Sequence, residues 1–152
     1  MTYAINHEKL YAGMLIDGRL DDSFSLCNKQ GEVIPFGKGL IKDAGGAKLP
    51  TSSSKAEDFV GVALYEHLRA YKDGEEIGAI PDYDMTVIAF GVVAVKVLED
   101  VVEGDAVYWR VGATGTGDFC KTAGSDATLS VELPFKFMQS ATSGSVAVIR
   151  IK

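Results

Sequence analysis

The residues whose types and spacing could do chemistry are few, and the most suggestive lie in YWRVGATGTGDF, Tyr108 to Phe119. A hydrophobic strand running into VGATGTG resembles a phosphate-binding turn. In such a turn glycines bend the chain sharply after a strand, and a helix begins at once so that its N-terminal amides face the phosphates. Gly112 and Gly115 stand in place, but the glycine due three residues later is Asp118, a carboxylate where a phosphate would sit, and Gly117 is out of register by one. The following DFCKTAGSDATLS holds Gly124 and no helical apolar period, so no helix supplies the amides. The stretch reads as a glycine-rich hairpin tip. No cofactor is expected.

The remaining candidates have no chemical pattern. His7, His67, Cys27 and Cys120 are scattered at spacings that match no zinc site, and Asp82 and Asp84 in IPDYDM lack the further oxygen ligands of a calcium loop. They read as surface or packed residues and a polar turn after Pro81. The serines of AGSDA and TSGSV are in turn sequences and no G-x-S-x-G elbow occurs. The adjacent carboxylates Asp21 and Asp22, and Glu75 and Glu76, read as solvated surface. No catalytic, cofactor-binding or metal-binding residue is expected, and the chain reads as a protein without enzymatic activity.

Charge and composition narrow the partners. Fifteen Lys and Arg against 21 Asp and Glu give a net charge of −6, with no concentration of basic residues. Nucleic-acid affinity comes largely from counterion release by a positive surface, so nucleic acid is not an expected partner. Membrane is not expected either, since there is no polybasic cluster for anionic lipid. The longest uncharged apolar stretch, Met85 to Val95, falls short of the ~20 residues of a spanning helix. MTYAINHEKLYAG lacks the basic end and apolar run of an export signal. A soluble chain made and kept in a reducing compartment follows, with its two cysteines free and packed.

The elements that must position these residues read as strands. AGMLID, VIPFGKGLIK, FVGVAL, EIGAI, MTVIAFG, VVAVKVL, AVYWRV, TLSVEL, FKFMQS and SVAVIRI are short, rich in Val, Ile, Phe and Tyr, and end in Gly, Asp, Pro or Ser. Alternation puts Val93, Val95 and Val97 on one face of their strand, and Val107, Trp109 and Val111 opposite Tyr108 and Arg110 on theirs. Helix signals are limited to SSSKAEDF, capped through Ser54 with Glu57, and about two turns in YEHLRAYKDG ending at Gly74. The expected fold is all-β, a small β-barrel or β-sandwich. Residues 1–11 read as an extended N-terminal arm, 12–152 as a single β domain, and Lys42 to Asp58 as a long polar loop.

In order, IPFGKGLIK, LPTSSSKAEDFVGVAL, YKDGEEIGAI, VIAFGVVAVKV, VVEGDAVYWR and SGSVAVIRI resemble the structural cement, or decoration, proteins of tailed bacteriophage capsids, from about Tyr11 to Ile151. The resemblance implies a symmetric homo-oligomer, dimer or trimer. It would sit on the outer surface of the virion's shell, across junctions between major capsid protein subunits, after synthesis in the host cytoplasm. Candidate contacts with capsid or with other copies are Tyr3 and Tyr11 of the arm, the Lys42 to Asp58 loop, and Trp109 beside Arg110. Trp109 alternates with Val107 and Val111 and reads first as core, which leaves Arg110 the better contact of the two. A second reading is a small β-rich module of a virion that binds carbohydrate or a host receptor, with Tyr65, Tyr71 and Tyr83 as its aromatic platform.

Overall fold

β-Branched and aromatic side chains pack well on a pleated surface, and their abundance here produces a structure whose regular elements are nearly all strands. The computed structural model describes residues 10–66 and 73–152, leaving the side chains of 18–20 aside. The strands are β1 (Leu15–Asn28), β2 (Ile34–Pro35), β3 (Gly39–Asp43), β4 (Gly46–Lys48), β5 (Phe59–Ala63), β6 (Gly78–Ala79), β7 (Asp84–Lys96), β8 (Ala106–Arg110), β9 (Phe119–Cys120), β10 (Ser130–Lys136) and β11 (Val146–Ile151). Among the described residues the only helices are the 3-10 turns Ala56–Asp58 and Asp126–Thr128.

A six-stranded sheet runs β1-β4-β3-β5-β7-β11, with β1 also pairing β7, and a three-stranded sheet runs β10-β8-β9. Strands β2 and β6 form a small separate pair. The arrangement is sandwich-like and not a closed barrel. The alternating valines face the core as expected: Val93, Val95, Val97, Val107 and Trp109 are all 0% exposed. Phe59 of β5 crosses between the sheets. Its ring meets Trp109 edge-on at 5.2 Å, Phe135 at 5.8 Å and Phe119 at 6.4 Å. Fully burying a ring of this size contributes about 1.5–3 kcal/mol, and the partly buried Phe59 joins β5 to three such rings of the same core. A second cluster is formed around Ile34, Leu40, Met85 and Val87.

Several elements differ from their sequence reading. MTVIAFG and VVAVKVL are one strand, β7, because it exchanges partners along its length. β5 lies beside Val87 and Ile88, and β11 takes over from Gly91 to Lys96, so no turn is needed between the two runs. β1 extends from Leu15 through the polar DGRLDD to Asn28, its pairing with β7 irregular between Asp17 and Asp22. The segment 42–58 is not one loop. A hairpin joins β3 to β4, and a 3-10 turn precedes β5, which leaves 49–55 as the irregular part. That turn is capped one residue later than expected: the Lys55 amide donates to the Asp58 carboxylate at 2.8 Å, while Ser54 Oγ accepts from the Thr51 amide. Most of YEHLRAYKDG lies outside the described residues.

Candidate functional surface

The VGATGTG stretch is a hairpin tip. It joins β8 to β9, whose pairing sets Trp109 opposite Phe119. Gly115 and Gly117 have φ of 72° and 86°, a region that favours glycine. Four of the tip's amides are engaged within the fold: Gly112 donates to Leu129 O at 2.9 Å, Thr114 to Ala127 O at 2.9 Å, Gly117 to Arg110 O at 2.8 Å and Asp118 to Gly115 O at 3.0 Å. Amides engaged in this way make no cradle for phosphate.

The charged residues of the tip hold it to the body. Arg110 is 8% exposed. Its Nε donates to Ser130 Oγ at 2.9 Å and its terminal nitrogen to Thr114 O at 2.7 Å. Asp118 pairs with Lys38 Nζ at 3.0 Å, with 4% of its side chain exposed. Burial pushes the Asp118 carboxyl above the ordinary carboxylate range, against the opposing pull of Lys38, Lys96 and Arg110. The chemistry of this cluster is structural cross-linking.

Of the four residues proposed for capsid or oligomer contact, Trp109 is fully buried, Arg110 is buried and bonded internally, and Tyr3 lies outside the described residues. Of the three that are described, Tyr11 alone reaches the surface, 45% exposed, its ring 4.6 Å from that of Tyr65. Burial of Arg110 follows from a neighbour that alternation does not show, the paired strand β10, whose Ser130 stands opposite it. Two of the three tyrosines of the aromatic platform are among the described residues, and no ring contact joins them. Tyr65 packs on Tyr11 and Phe36, Tyr83 stands 66% exposed on a separate turn, and Tyr71 lies outside the described residues.

Of the metal candidates, Cys27 and Asp84 stand opposite each other on β1 and β7. His7 and His67 lie outside the described residues, and Asp82 is in a turn 3.9 Å from Lys29. Buried Cys120 donates to Ser130 Oγ at 3.1 Å. Among the described residues no three His, Cys, Asp or Glu side chains group together.

The sequence reading missed a groove of about 400 Å³ between the end of β10, the turn at 102–105 and β11. Its lining includes Glu103, Pro134, Lys136, Met138, Arg150 and Lys152. The available signal was the alternation of cations with apolar residues in FKFM and IRIK. Each run alone reads as a strand with one solvated face; only their pairing makes a common surface.

A family model described as structural cement protein (E217 gp24/Pam3 gp6) matches residues 1–152. Among solved structures, a chain from the capsid of Myoviridae phage XM1 aligns over 100% of this chain and 97% of that one, with TM-score 0.73 and 19% identity, a likeness of fold. A chain from the head fibre gp8.5 N base of bacteriophage phi29 covers 88% of this chain and 95% of its own, with 13% identity and a TM-score of 0.45, too low to bear on the fold. No curated protein sequence matches the chain.

Proposed function

Because the chain belongs to the phage structural cement protein family, we propose that it binds the outer surface of the mature capsid as a homo-oligomer and stabilises junctions between major capsid protein subunits. Its role is that of a capsid-associated structural protein of the virion. The family match over the whole chain is the observation that carries the proposal. The action would be mechanical, with no catalytic step, and the partners are the major capsid protein and further copies of the chain, not nucleic acid or membrane.

Each copy would touch neighbouring shell subunits. Linked copies then rebind at high effective concentration, so modest individual contacts hold against internal pressure. A protein that binds the expanded lattice and not its precursor stabilises the expanded state through that difference in affinity. The proposed arm, residues 1–11, would extend the contact beyond a single β domain of 12–152, with Tyr11 at its root and Tyr3 further along. The buried positions of Trp109 and Arg110 favour support of the surface over direct contact.

The test is addition of the purified protein to undecorated shells, with co-sedimentation and shell thermal stability as readouts and native mass for the oligomer. Saturable binding and a higher shell melting temperature are expected. A chain monomeric at every concentration that left shell stability unchanged would overturn the proposal, and binding to glycans with none to shells would replace it with the receptor-binding reading.

A further inference from the structure

We propose that the groove between β10, β11 and the 102–105 turn is the docking site for an acidic, partly apolar polypeptide segment of a shell subunit, an inference that rests on the capsid-associated reading above. The antiparallel bridge between Phe137 and Ile149 sets Lys136 across from Arg150 and Met138 across from Val148, a register held by the Met138 amide donating to Val148 O at 2.8 Å. Side chains alternate along strands. Phe137, Ile149 and Ile151 therefore point into the core, buried to 2% exposure or less, while Lys136, Met138, Arg150 and Lys152 turn out together.

Charge is what distinguishes this surface. The chain as a whole carries −6, yet the groove gathers three cations, Lys136, Arg150 and Lys152, against one carboxylate, Glu103. Lys29, Lys38 and Lys48 have carboxylate partners within 4 Å, whereas among the described residues none of the three groove cations does. Exposed cations that line one groove reinforce one another over a Debye length, about 8 Å at physiological salt, and Asp105 of the adjoining turn, whose carboxylate accepts from the Val102 amide at 2.9 Å, offsets them only in part. Between them lie Pro134 and Met138, the latter 40% exposed, an apolar floor for one side chain. Carboxylates set around an apolar side chain complement this pattern. A nucleic-acid strand, charged at every phosphate, would have to run on over the acidic remainder of the surface.

The test measures binding of a labelled hexapeptide of alternating Glu and Leu, with a Lys–Leu hexapeptide as control, to wild type and to two double variants. These are Lys136→Glu with Arg150→Glu, and Lys136→Gln with Arg150→Gln, each checked for an unchanged melting temperature. The Glu–Leu peptide is expected to bind wild type saturably, to shift the amide resonances of Lys136, Met138 and Arg150, and to weaken with salt. Reversal should weaken it about tenfold or more and neutralisation less. Equal binding by the variants, no binding to wild type, or equal binding of the Lys–Leu peptide would overturn the docking site. In parallel, the neutralised variant is added to undecorated shells. If it binds them as wild type does, the groove is not the shell contact; if wild type itself fails to bind shells, the capsid-binding proposal falls while the peptide result still decides the groove.

Discussion

Trp109 shows how closely the core is fitted at single residues. A Cβ on Gly39 would lie 2.4 Å from Trp109 Nε1 and 2.9 Å from the Phe59 ring, and both rings are held between sheets. Overpacking of a dense core costs about 1–3 kcal/mol. Gly39→Ala is therefore expected to lower the melting temperature by several degrees, measured by circular dichroism; an unchanged value would show that the two rings can move apart. Asp118 tests the electrostatics. Its folded carboxyl titrates above the ordinary 3.8, so just above pH 3.8 the folded state holds a proton that the unfolded state has released. Stability from this group consequently falls as pH rises through that window. The stability of wild type relative to Asp118→Asn should decline from the acid side of the window toward neutrality, as read from urea unfolding across pH. A difference that grows with pH would mean that Lys38 outweighs burial.

At the scale of elements, much of the stitching is done by side chains that accept from turns. Glu99 Oε1 accepts from the Lys121 amide at 2.9 Å, the Thr122 amide at 3.0 Å and Thr122 Oγ1 at 2.7 Å, which pins the chain leaving β9. Burial alone would raise the Glu99 carboxyl, but these three bonds together with the charge of Lys121 outweigh it and hold the group below its ordinary 4.5. Its stabilisation is present above that value and lost as pH falls through the lower folded one. Glu99→Ala should cost about 1 kcal/mol at pH 7, less than the ~1.5–3 of a buried charged acceptor because these bonds lie at the surface. The loss should shrink in acid, and a cost independent of pH would assign it to packing. Element types were legible wherever alternation was strong, as in β8 and the second half of β7. Boundaries were legible only where a strand kept one partner. β1 continues through a polar run at which its pairing with β7 lapses between Asp17 and Asp22 and resumes from Asp22 to Cys27, and β10 continues through Pro134, a residue suited to an edge strand.

For the whole molecule, the proposed arm can be separated from the fold. Deleting residues 1–9, which leaves the Tyr11–Tyr65 contact in place, should weaken binding to undecorated shells severalfold while leaving the melting temperature within about 0.5 kcal/mol equivalent of wild type. Loss of folding instead would assign the arm to the core. The sequence by itself determined the all-β class, the inward-facing valines and Trp109, the hairpin at VGATGTG and the cement-protein family, because period-two alternation, glycine spacing and the order of motifs are properties of the chain read along its length. Tertiary structure alone decided for a sandwich-like arrangement over a closed barrel. It also buried Arg110 against Ser130 and set Lys136 across from Arg150. Those outcomes depend on which strands lie side by side. Pairing between residues far apart in sequence is fixed by burial and register over the whole sheet, and no local pattern carries it.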